Sequence, residues 1–299
     1  MECNGFDFLL EKRLGELSPA LCERYRHCMA VFDMLLEKFH LVFPTFTDHS
    51  LLHCMNVLNY SNMLMGENVF KLSADEIYIY LVAVALHDSG MSIEEKKFDD
   101  YVSKAGVTEY VKAHPEESAA SVSRRFHNEF SAIFIKEKAS LFDIPDDRYA
   151  EAIAKVARGH RKADLFDRED YPADYPVTGE SPVNLAALGA YLRIADEMDM
   201  ATDRNSKLLY ELNSADIPDP VSYLEFLKCE SIKKVCCADR KLQVFCEPPD
   251  KIVLDGVKEY VKGLLEKLVY CKDVITGAGD FDFPYSDVEL IVTDPGAGA

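Results

Sequence analysis

IYIYLVAVALHDSG, residues 77–90, is the stretch on which the fold turns. Its first ten residues, 77–86, are apolar without a polar stripe. That length is about half of what a bilayer needs, and a helix apolar all round is one buried in a core. Just before it, Ser73-Ala74-Asp75-Glu76 has the form of a capping box, with Ser73 as N-cap and Glu76 at the third helical position. The run breaks on His87-Asp88, and Gly90 suits the residue that follows a helix cap. A core helix that ends on an imidazole and a carboxylate either reaches water at its tip or delivers ligands to a metal.

Outward from this helix the chain reads as mostly helical. Residues 6–40 carry helical patterning with a break at Ser18-Pro19. A second helix starts near Asp48, with Leu51, Leu52, Met55, Leu58 and Met63 at helical spacing. Residues 91–112 are polar and broken, and His114-Pro115-Glu116-Glu117 has the character of a helix start. Residues 147–158 form an amphipathic helix that stops at Gly159-His160. Three prolines in YPADYPVTGESP make 163–182 a long loop, and a strong helix runs from Val183 to Met200. After Asn213 the character changes. KKVCCA (233–238) and KLQVFCE (241–247) are short and β-prone, bridged by Asp239-Arg240; 250–270 reads as helix, and VELIV as a last strand. The fold class is therefore mainly α, with a helical body over 1–213 and a small C-terminal α+β subdomain over 214–299.

Charge narrows the function. Fifty-two acidic residues against 33 basic ones leave a formal net charge of −19. Such a chain does not coat nucleic acid or an anionic membrane through its general electrostatics. It remains open to an anionic substrate, because a local cation reverses the field inside one pocket. The N-terminal residues MECNGFDFLLEKR have no basic-then-apolar signal, so a soluble cytoplasmic protein is expected. Nine cysteines, an odd number with no C-x-x-C pair, point to reduced thiols rather than a disulfide framework or a thiolate zinc site.

The residues able to carry chemistry are His49 and His53, four apart on one helix face, then His87-Asp88, His114, His160 and Asp196. Each histidine taken alone also fits a helix tip or a solvated end. Asp196 lies beside the apolar stripe of Leu185, Leu188, Leu192 and Ala195. There it needs a metal or a partner, and Arg193 three residues earlier is one such partner. Imidazole plus carboxylate without thiolate suits Mn, Fe, Zn, Ni or Co and tolerates Mg.

This order, His49 in DHS, His87-Asp88 in ALHDSG and Asp196 in LRIADEMD, resembles the HD-domain metal-dependent phosphohydrolases over about residues 45–205. The LRIADEMD helix followed by an α+β tail also resembles an extended HD group found in bacterial defence and signalling contexts. The resemblance implies a helical HD bundle holding two divalent metal ions. His49, His87, Asp88 and Asp196 would hold the first. His114 and His160, with Asp88 bridging, would hold the second. In one common version of the motif a lysine follows the glycine; here Met91 stands there, so that contact to substrate is absent or supplied elsewhere.

The implied activity is hydrolysis of a nucleotide or other small phosphoester by a metal-bound hydroxide. Arg161, Lys162, Arg193 and Arg204 are the candidate phosphate binders. Asp88 and His53 lie closest to the chemistry: His53 would orient substrate or donate a proton to the leaving group, or hold a ligand from behind. Asp199 is a candidate acceptor for a ligand histidine. The same residues also fit a catalytically silent module that binds metal and nucleotide, or an HD-type di-iron oxygenase. The C-terminal unit is left three uses: capping the pocket, dimerising, or binding a protein partner.

Overall fold

The computed structural model describes residues 9–42, 51–178, 182–200 and 220–293. At its centre is the helix read from residues 77–86. Helix α4 runs Ala74–Leu86, and Ile77 to Leu86 are all buried. Its start is the expected capping box: Ser73 Oγ accepts from the Glu76 amide, and the Glu76 carboxylate accepts from the Ser73 amide. The other Glu76 oxygen accepts from the Asn184 amide, so one buried acid ties the start of this helix to that of a later one.

Around α4 pack α1 (Leu9–Leu17), α2 (Pro19–Val42), α3 (Leu51–Met65), α8 (Asp147–Arg158) and α9 (Leu185–Met198). Beyond them lie α5 (Phe98–Lys104), α6 (Thr108–Ala113) and α7 (Ala119–Lys138). The break expected at Ser18 is the joint between α1 and α2. The helix start expected at His114-Pro115 is instead the end of α6, capped by His114; the next helix begins at Ala119 with Ser118 as its N-cap. Proline and acids at 115–117 therefore fill the connection between two helices. The loop over 163–182 contains a two-residue pairing of β1 (Tyr175–Pro176) with β2 (Pro182–Val183).

The C-terminal unit comprises α10 (Pro220–Ser231), β3 (Ile232–Ala238), β4 (Lys241–Cys246), α11 (Lys251–Ala278) and β5 (Val288–Val292). The strands lie in the order β3-β4-β5, the first pair antiparallel and the second parallel. Asp239 and Arg240 make the two-residue turn, both at positive φ (49° and 62°), the geometry whose twist matches a tight hairpin. Helix α11 packs along α9, and Leu264, Leu268, Cys271, Val274 and Ile275 are fully buried. One continuous apolar cluster runs from Leu10 in α1 to Phe283 after α11. The boundary expected at 213–214 lies outside the described residues. Among those residues no helix is long and apolar enough to cross a membrane.

Candidate metal centre

Four imidazoles and two carboxylates meet at the tip of α4. His87 is the C-cap of α4 and is fully buried, with Asp88 next to it. His53 comes from the first turn of α3, Asp196 from the last turn of α9, His160 from just past α8, and His127 from α7.

The rings are held alike. The Nδ1 atoms of His87, His127 and His160 each donate to a carbonyl three residues earlier, on Val84 (2.8 Å), Arg124 (2.7 Å) and Ala157 (2.6 Å). A carbonyl can only accept, so Nδ1 carries the proton in all three rings, and in the neutral ring Nε2 keeps a bare lone pair. His53 Nδ1 lies 2.6 Å from Asp199 Oδ2, while Asp199 Oδ1 accepts from the Asn56 amide at 3.0 Å. Asp199 is wholly buried and orients a ring that would otherwise turn freely.

The Nε2 atoms face one another. His53 and His87 are 3.2 Å apart at Nε2, and His127 and His160 are 2.9 Å apart. Two bare lone pairs at that distance repel unless positive charge lies between or beside them. Asp88 lies across both pairs. Its Oδ2 is 3.4 Å from His87 and 3.6 Å from His53; its Oδ1 is 3.1 Å from His127 and 3.8 Å from His160. Asp196 Oδ1 adds to the first pair, 3.4 Å from His53 and 3.6 Å from His87. His53, His87 and Asp88 form one buried group that could hold a metal ion; Asp88, His127 and His160 form another.

The local electrostatics favour cations at these points. Burial pushes His160 well below the ordinary imidazole range, with His87 and His127 adding to the push. Its Nε2 thus stays free of a proton at neutral pH. Burial would raise the Asp196 carboxyl, but the neighbouring His53 and His87 imidazoles hold it well below the usual carboxylate range. At His87 burial lowers the imidazole, yet Asp88 and Asp196 outweigh it and raise the ring above its ordinary value. This spot attracts positive charge even at the expense of desolvation. Nitrogen and carboxylate donors, with ring tautomers fixed from behind, fit borderline divalent ions.

Residues 43–269 match the family model named HD-CE. The chain belongs to the HD-CE family. It is an HD-domain-type family, as the resemblance built on His87-Asp88 and Asp196 implied. Comparison with curated proteins found no match, and neither did comparison with solved structures.

In this HD-CE chain the described cluster differs from the expected ligands at two places: His114 is outside it and His53 is inside it. His114 does not join the cluster. Its ring stacks on Tyr110, with centroids 4.1 Å apart, and its Nδ1 bonds the Tyr110 carbonyl. It caps α6 and does not face a second imidazole. The ring beside His160 is His127, which is not among the histidines picked out from the sequence and stands in no local motif there. His53, weighed for orienting substrate or supporting a ligand, points its Nε2 straight into the first group. His49 and Arg204 lie outside the described residues.

A cavity of about 460 Å³ opens on Asp88, His127, His160 and Asp196. Its described lining holds five basic side chains (Arg124, Arg161, Lys162, Arg193 and Lys267) and four acidic ones. Basic side chains thus slightly outnumber acidic ones in this lining, against the excess of acids in the chain as a whole. Arg193 sits in the wall without binding Asp196 or Glu197. Its Nε donates to the Gly159 carbonyl at 2.8 Å and its Nη2 to the Ala163 carbonyl at 2.6 Å. It thereby braces the turn that carries His160, and two of its donors are turned away from any phosphate. Arg161 and Lys162 are exposed on the same turn and have no acidic partner among the described residues. From the C-terminal unit, Lys267 pairs with Glu197. Glu225 and Cys229 of α10 reach the same cavity.

Proposed function

We propose that the chain is a metal-dependent phosphohydrolase acting on a small phosphoester, with a nucleotide as the expected class. One observation carries this reading. The Asp88 carboxylate splits between two imidazole pairs whose Nε2 atoms face each other, while hydrogen bonds from behind hold all four Nδ1 atoms. That arrangement suits two divalent cations sharing Asp88, one on His53, His87 and Asp196, the other on His127 and His160. Cations held there would supply a water acidified from pKa ~16 to ~7 and would offset charge building on the phosphoryl oxygens.

The rest falls to the chain. Asp199 fixes His53, and Arg193 fixes the turn behind His160, so neither imidazole needs to reorganise when substrate arrives. Arg161 and Lys162 offer donors to phosphate oxygens at the mouth. The C-terminal unit closes one wall through Glu225, Cys229 and Lys267, which supports the pocket-capping use among the three open to it.

The test is metal content together with turnover. Wild type is expected to retain about two divalent ions per chain after dialysis and to hydrolyse bis-p-nitrophenyl phosphate with Mn added. Asp88→Ala is expected to lose most of both. An unchanged metal content in Asp88→Ala would remove the shared carboxylate from the site. Metal binding without turnover by any of Mn, Fe, Co, Ni, Zn or Mg would leave a silent binding module. Iron accompanied by oxygen consumption would favour the oxygenase chemistry.

A further inference from the structure

The cations of the cavity are not spread evenly around its floor. Arg161 and Lys162 directly follow His160, and Arg124 lies one helical turn before His127. All three line the cavity, and all three attach to the His127–His160 side of the centre. The other flank is different. Its cation, Lys267, is engaged by Glu197, and Glu225 is paired with Lys228. Met200 and Cys229 complete that flank. The lining therefore carries Arg161 and Lys162, without acidic partners among the described residues, beside His160, and paired charges on α10 and α11. No phenylalanine, tyrosine or tryptophan is in its described lining, so charge dominates recognition here over base stacking.

The magnitudes separate two kinds of substrate. If the centre holds two divalent ions, Asp88 and Asp196 balance only half of their charge, leaving a surplus of about +2. Arg161 and Lys162 add two more charges that no described carboxylate balances. A phosphodiester brings about −1 and a phosphomonoester about −1.5 to −2. A monoester roughly balances the centre and a diester balances about half of it; either leaves Arg161 and Lys162 unmatched. Two linked phosphoryl groups, at about −3, reach both the centre and this basic pair and come closer to their combined charge of about +4.

Resting on the hydrolase reading above, we propose that this cavity takes a substrate with at least two linked phosphoryl groups. One group lies over the imidazole cluster, and the next is held by Arg161 and Lys162 with Arg124 beside them. Its source is a nucleoside oligophosphate or an inorganic or sugar-borne diphosphate; the chemistry read by the pocket is the diphosphate.

The experiment measures binding to the Mn-loaded protein at fixed free Mn, by calorimetry, with inorganic phosphate and with pyrophosphate. Pyrophosphate is expected to bind at least tenfold more tightly. In Arg161→Ala/Lys162→Ala that preference is expected to fall to about twofold or less. In the charge-matched control Lys96→Ala/Lys97→Ala, two surface residues outside the cavity lining, it is expected to persist. Equal affinity for the two anions in wild type, or a preference that survives the Arg161/Lys162 substitution, overturns the proposal. A nucleoside diphosphate arm separates the sources: tighter binding than pyrophosphate indicates a nucleotide, equal binding a diphosphate of another origin, and both support the proposal. Hydrolysis of bis-p-nitrophenyl phosphate by the same preparations keeps the two readings apart. Turnover without a pyrophosphate preference sinks only the diphosphate, and a preference without turnover sinks only the hydrolase.

Discussion

At the scale of single residues, the centre reuses one local device. His87 ends α4, His160 follows the end of α8, and His127 follows Phe126, whose φ of −117° and ψ of 18° break the helical geometry inside α7. At a helix end or break, carbonyls run out of amide partners. The histidine ring supplies the missing donor through Nδ1, and its Nε2 is left aimed outward with a defined lone pair. His114 shows that the device alone does not make a ligand: it too bonds a carbonyl of the turn before it, yet its ring packs on Tyr110. The two residues therefore separate sharply in experiment. His127→Ala is expected to reduce bound metal from about two ions per chain to about one, measured by plasma mass spectrometry after dialysis. His114→Ala is expected to leave the metal content at its wild-type value. The reverse result would return the second site to the assignment made from sequence.

At the scale of elements, Gly90 shows how tightly the centre is built. Sequence reading assigned it to the turn after a helix cap, where a left-handed backbone favours glycine. Its φ is not in that region; among the described residues the positive-φ glycines are Gly66 and Gly106. The reason for glycine is space. A Cβ here would sit 2.3 Å from the His127 carbonyl oxygen and 2.6 Å from the Ser131 nitrogen, both backbone atoms of α7. The Gly90 amide also donates to Ser131 Oγ at 2.8 Å. The turn after Asp88 thus docks against the stretch of α7 that presents His127. Gly90→Ala forces these backbones apart, at a cost of about 1–3 kcal/mol or more. A lower midpoint in urea denaturation is expected, together with weakened metal retention, because the turn carrying Asp88 and the helix carrying His127 separate. An unchanged midpoint would mean that α7 yields without strain.

At the scale of the whole molecule, the C-terminal unit is part of the structure that holds the centre. Helix α11 bonds α9 near both ends: Tyr260 Oη donates to the Glu197 carbonyl at 2.9 Å, and Asn184 Nδ2 donates to the Ala278 carbonyl at 2.9 Å. Tyr270 Oη accepts from the Leu165 amide, in the segment that follows His160. Asp196 and His160 are therefore both buttressed by a helix that supplies no ligand. Because the apolar cluster is continuous through α9 and α11, the units are expected to unfold together. Leu268→Ala, at a fully buried position of α11, is expected to cost about 2–5 kcal/mol. In calorimetry that loss should shift one transition. A second transition, moved alone, would show that the C-terminal unit has a core of its own.

The sequence by itself determined what is local or periodic. The apolar run of α4, its capping box, the break at His87-Asp88, the Asp239-Arg240 hairpin and the mainly helical class all follow from neighbours within a few residues. The association of Asp196 with His87-Asp88 was readable through the family resemblance; its place beside a buried stripe showed only that it needs a partner, and Arg193 fitted as well. Tertiary structure alone decided which histidine completes the second group. Whether a ring at a helix break faces a metal depends on what packs opposite it, and His127 earns its place through the approach of α7 to Gly90, 37 residues earlier in the chain. It also decided that Arg193 braces a turn instead of gripping substrate, since its acceptors are backbone carbonyls 34 and 30 residues away. Such carbonyls are present at every position, so no residue type in the sequence marks them.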